Sequence, residues 1–110
     1  MFSEESAILD KIKSGDKKAF EELIDTHQKP VINICYRFLL NKEDAEDIAQ
    51  DVFIEIYYSI KNFRSEAKLS TWIYRIAVSK CLDEIKKRNR IKRITSAGKI
   101  FNLEDFIGKL

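Results

Sequence analysis

A chain of 110 residues that is 45% hydrophobic, 35% charged and 11% aromatic is long enough for one buried core. It is too apolar for a disordered chain and too densely charged to be mostly core. Three glycines and one proline leave the many turns of a multi-stranded sheet nowhere to form, so the expected class is all-α. No apolar run exceeds three residues, which excludes a membrane span and a secretory signal and sets the expected location as cytoplasmic.

The elements follow in order. Ser3 with Glu4 and Glu5 opens a first helix over about residues 4–14, with Ile8, Leu9 and Ile12 as its apolar stripe, and Ser14-Gly15-Asp16 ends it and caps the next. The second helix carries Phe20, Leu23, Ile24, His27, Val31, Ile34, Cys35 and Phe38 at steps of three and four, a buried stripe kinked near Pro30 by the missing donor. Asn41 caps a third helix running to about Asn62, whose acidic first turn suits the positive end of the helix dipole. Its inner face is Ala45, Ile48, Ala49, Val52, Phe53, Ile56 and Ile60.

Residues 62–69 form a loop carrying Phe63 and Arg64. A fourth helix opens near Ser70 with Ile73, Ile76, Ala77, Cys81 and Ile85 inward, and fades near Arg90. The expected architecture is therefore a compact bundle of about four helices with a basic C-terminal helix and a partly ordered tail, in which Asn102 and the residues after it would make a short capped helix. Cys35 and Cys81 lie far apart inside helical patterns, without a CxxC pair and with one histidine in the chain. They read as reduced core residues, and no metal site or cofactor is expected.

The net charge of +2 conceals a sorting of charge along the chain. Six acids and no base lie between Glu43 and Glu55, whereas Lys80 to Arg93 holds seven bases against two acids. Such a chain can offer different surfaces to two partners. Asp44, Asp47, Asp51 and Glu55 fall at steps of three, four and four, an outward stripe. Without histidine or cysteine beside it, this stripe reads as a protein-binding or solvated face rather than a metal site. With no phosphate loop, no nucleophile elbow and His27 on an apolar stripe, enzymatic chemistry is not expected. On the fourth helix Trp72, Arg75, Ser79 and Lys86 share one side, interrupted by Asp83. With Phe63 and Arg64 they suggest a surface that stacks bases and tracks phosphates, with a plain surface helix as the competing reading.

The run from Asp44 to Phe53 (Asp-Ala-Glu-Asp-Ile-Ala-Gln-Asp-Val-Phe), then Asn62-Phe-Arg, then Ser70-Thr-Trp-Ile-Tyr-Arg-Ile-Ala-Val, resembles region 2 of the extracytoplasmic-function sigma factors, the core-binding and −10-melting domain of the sigma-70 family. The likeness extends from about Ala19 to Arg93. It implies a bacterial transcription initiation domain that binds RNA polymerase core and recognises and melts the −10 promoter element as a non-template single strand. Asp47, Gln50 and Asp51 match the positions that meet the β′ clamp helices, with Glu55 extending the same acidic stripe. Phe63, Arg64 and Ser65 match the pocket for a flipped base, and Trp72 and Arg75 match positions near the upstream fork. Ser79, Lys80, Lys86 and Lys87 continue the expected DNA-binding side. An anti-sigma factor is a further partner that the resemblance allows.

This sequence departs from the family pattern at three places. Ser79 stands where asparagine is usual, which leaves the base preference of the pocket open. Ser65 stands where glycine is common. The sequence does not include the second helical domain, which reads the −35 element, so residues 1–93 are expected to be the region 2 domain and 94–110 the start of an interdomain linker, in a piece of a longer factor or else a solitary domain. Phe63, followed by a charged and polar run, is expected half-exposed at the rim of the pocket. The rival reading is a helical protein-interaction module with an acidic partner face and no DNA binding.

Overall fold

The computed structural model describes residues 3–64 and 66–104. Within them four helices follow in order: α1 (Ser3–Lys13), α2 (Lys17–Leu39), α3 (Lys42–Ser59) and α4 (Leu69–Glu104), with a short 3-10 turn (Ile60–Asn62) after α3. Among the described residues there is no strand, and no helix is long and apolar enough to cross a membrane.

Local chemistry sets the ends of these elements. The last turn of α1 closes when Asp16 N–H donates to the Lys11 carbonyl and Gly15 N–H to that of Ile12, the paired bonds of a Schellman motif. Gly15 supplies the left-handed residue this needs, at φ +96°. The Asp16 carboxylate then accepts from the amides of Lys18 and Ala19, and Asn41 caps α3 by accepting from Asp44 N–H at 2.9 Å. Between α2 and α3 the chain turns on Leu40, a left-handed non-glycine residue at φ 56°.

Helices α2, α3 and α4 pack against one another, and α1 lies across α2 and the 3-10 turn. Val31 and Cys35 from α2, Val52 and Ile56 from α3, and Ile73, Ala77 and Cys81 from α4 form the fully enclosed centre. Burying each isoleucine contributes about 1.5–3 kcal/mol. Both cysteines are free, and burial together with the neighbouring Cys81 pushes the Cys35 thiol up to about 12.

The buried line of α2 differs from expectation at its ends. Ala19, Leu23, Val31, Cys35 and Leu39 are buried, all multiples of four apart, whereas Phe38 is exposed. Four residues turn the helix by about 400°, so this line winds slowly around α2, reaches Leu39 in the last turn, and leaves Phe38 outside. His27 sits on the same line, half-buried. Burial lowers its pKa below the ordinary value, partly opposed by Glu5. The helix runs unbroken through Pro30.

The fourth helix also differs, because it does not fade near Arg90 but continues to Glu104. From Asn89 to Ser96 every residue is exposed, so this stretch leaves the bundle as a lone helix. No glycine or proline interrupts it before Gly98, and lysine and arginine are good helix formers. Residues 94–104, expected to begin a linker, are thus continuous with α4. The end of the short capped helix expected after Asn102 lies outside the described residues.

Candidate functional site

The acidic stripe on α3 divides in two. At its ends Asp44 pairs with Arg88 at 3.0 Å and Glu55 with Lys80 at 3.5 Å, both reaching across to α4. Glu55 also accepts from the Ser59 hydroxyl. That hydrogen bond first, and the Lys80 charge second, hold its carboxyl below the usual carboxylate range. Asp47 and Asp51, in the middle, are exposed and make no ion pair among the described residues. Gln50 is exposed too, and lines a groove between α2 and α3 floored by Ile24, Ile32, Phe53 and Ile54. Exposed Ile54, Tyr57 and Tyr58 continue this surface, with Tyr57 edge-on to Phe20 at 5.3 Å. Helical spacing does not mark these apolar neighbours, because Tyr57 and Tyr58 fall where the inward stripe of α3 skips them.

The second surface belongs to α4. Trp72, Arg75, Ser79 and Lys80 line one groove together with Glu55 and Asp83. Arg75, Ser79 and Lys86 border a shallow apolar hollow on the outer side of the same helix, floored by Tyr74, Val78 and Leu82. The structure therefore distributes five of the expected DNA-binding residues over two adjoining grooves that share Arg75 and Ser79, the outer one with an apolar floor that helical spacing alone does not reveal. Lys80 is engaged by Glu55, and Lys87, though exposed, lines neither groove.

The loop reverses one expectation. Phe63 is buried, with only 7% of its surface exposed, and its ring lies 4.9 Å from that of Trp72 at 42°. The physical cause is backbone direction. After the 3-10 turn Phe63 takes an extended conformation, φ −68° and ψ 126°, and successive side chains of extended backbone point to opposite sides. The ring can therefore enter the core while Arg64 stays exposed. Burying the ring does not draw the polar run inward. The Phe63 carbonyl accepts from Lys13 Nζ at 2.9 Å, a contact fifty residues apart in sequence that the sequence reading did not find. Ser65 lies outside the described residues.

Residues 23–91 match the Sigma-70 region 2 family. The chain is 43% identical over 77 residues to the ECF RNA polymerase sigma factor SigW of Bacillus subtilis, covering 70% of this chain and 41% of that one. It is 31% identical over 87 residues to the RNA polymerase sigma-H factor of Pseudomonas aeruginosa, covering 79% and 45%. The chain thus spans less than half the length of these relatives. Among solved structures, an engineered region 2 of sigmaE in complex with GTAAAA superposes with a TM-score of 0.71 at 31% identity, covering 76% of this chain and 87% of the other. With three motifs in order on a four-helix fold of the same shape, the chain belongs to the Sigma-70 region 2 family, as region 2 of an extracytoplasmic-function sigma factor.

Proposed function

We propose that this domain binds RNA polymerase core through the outer face of α3 and holds the melted −10 promoter element on the loop and outer side of α4. The observation that carries the reading is the separation of two chemically distinct surfaces. Asp47, Gln50 and Asp51 stand exposed on α3, and Trp72, Arg75 and Ser79 share a groove along α4. The acidic face suits a basic protein partner, in this family the β′ clamp helices. The α4 side suits a single strand, because guanidinium and ammonium groups hold phosphates while apolar and aromatic floors accept unstacked bases. The likeness to a region 2 solved with GTAAAA supports this second assignment.

No covalent step enters this reading. Unstacking a base costs a few kcal/mol, and stacking in a protein pocket returns roughly 1–3 kcal/mol per base. The domain thus acts by binding melted DNA more tightly than duplex. The half-buried Trp72 and the Tyr74 floor are the aromatic surfaces open to a base, since Phe63 is taken up by the core.

The test is a charge reversal, Asp47→Lys with Asp51→Lys. Both sites are exposed, so stability should change by less than about 0.5 kcal/mol. Affinity for polymerase core should fall, while binding of the single-stranded hexamer GTAAAA stays intact. Unchanged core affinity in the folded variant removes this face from the polymerase interface. If the native chain shows no salt-dependent preference for the hexamer over duplex, the interaction-module reading stands instead.

A further inference from the structure

We infer that Lys13 of α1 is a positioning residue for Arg64, fixing the direction in which the loop proposed to hold promoter DNA leaves the bundle. The inference rests on the function proposed above for that loop. Lys13 lies outside the stretch that matches the family, residues 23–91, and outside every motif that identified it. Its ammonium nevertheless reaches the Phe63 carbonyl at 2.9 Å, the peptide oxygen that shares a rigid plane with the Arg64 amide. A donor on that oxygen limits rotation of the plane and with it the exit angle of Arg64.

The anchor is well supported. Lys13 is the last residue of α1, and the paired bonds from Gly15 and Asp16 fix the end of that helix. One and four residues earlier, Ile12 and Leu9 are buried in the same cluster as Ile60 and Phe63. The helix thus grips the base of the loop twice, once through apolar packing beneath the 3-10 turn and once through a charged hydrogen bond to its exit. The packing alone holds the Phe63 ring, and the hydrogen bond is what orients the peptide beyond it. A charge-assisted bond at a partly exposed site gives an effect of a few-fold on a property that depends on that orientation.

The experiment compares Lys13→Met, which keeps most of the stem and loses the donor, with Lys13→Arg, which keeps a donor. Two readouts are taken on the whole chain: the amide proton and nitrogen shifts of Arg64, and affinity for GTAAAA. Lys13→Met should shift the Arg64 amide and weaken the hexamer about threefold to tenfold, and Lys13→Arg should restore both. In an Arg64→Ala background Lys13→Met should then cost the hexamer nothing further. A loss of equal size in that background shows Lys13 contacting phosphate directly and overturns the inference, as does an unmoved Arg64 amide. If the native chain does not bind the hexamer, the functional reading fails on its own, and the Arg64 amide still decides whether Lys13 orients the loop. Should Lys13→Met lower stability enough to blur the shifts, the Arg64 amide is read in the folded fraction at lower temperature.

Discussion

Truncating Phe63 tests whether the aromatic of the loop is a structural or a DNA-contacting residue. Its ring is buried to 7% exposure and packed on Trp72. Replacing it by alanine gives up roughly 150 Å² of apolar contact beyond the remaining methyl, worth about 4 kcal/mol at 25 cal/mol per Å². Losing the ring pair adds about 0.5–1.5 kcal/mol, which places Phe63→Ala at or above the upper part of the usual 3–5 kcal/mol range. That is a large fraction of a domain stability of about 5–15 kcal/mol. Phe63→Leu keeps most of the volume and should cost about 1–2 kcal/mol. Urea unfolding followed by the single tryptophan, Trp72, measures both, and hexamer binding is read on the folded leucine variant. A loss of less than about 1 kcal/mol for Phe63→Ala, together with abolished hexamer binding by folded Phe63→Leu, would refute the reasoning and return the ring to the DNA.

Two further outcomes follow from backbone and burial. Leu40→Gly should stabilise the fold by about 0.5–1 kcal/mol, since the left-handed residue is relieved of roughly 1–2 kcal/mol of strain, against roughly 0.4–1 kcal/mol of added freedom in the unfolded chain. Its side chain is 76% exposed and gives up little packing; a lowered urea midpoint would contradict this. Burial depresses the folded pKa of His27 below 6.5, against the opposing charge of Glu5. The unfolded chain therefore binds the extra proton more readily, and stability should be level above about pH 7 and decline as the pH falls through 6.5 toward the lowered native value. His27→Gln should flatten that decline, and an unchanged slope in the variant would assign it to other groups.

Helix positions and caps were legible because they depend on neighbours a few residues away. Asp16 and Asn41 cap as their positions suggest, and Ile73, Ala77 and Cys81 face inward as their spacing requires. What escaped the sequence depends on residues distant in the chain. Asp44 and Glu55 fit an outward stripe by spacing, yet Arg88 and Lys80 on a different helix capture them. The polar residues after Phe63 suggest an exposed ring, whereas one extended residue suffices to turn the ring inward and leave Arg64 outside. Phe38 and Leu39 exchange places because a line of every fourth residue drifts around a long helix. The apolar stripe of α4 ends before the helix does, since nothing in the basic segment after Arg90 stops a helix.

The length of α4 turns its cations into a graduated scale. Arg75, Lys86, Arg90 and Arg93 are all exposed and follow one another at intervals of eleven, four and three residues, each returning to within about 60° of the same bearing. From Arg75 to Arg93 the rise is about 27 Å, near the length of eight stacked nucleotide steps at 3.4 Å each. On a flexible tail these charges would slide to meet any phosphate. On a single uninterrupted rod their backbone anchors keep fixed separations, so the row of charge has a set length and direction.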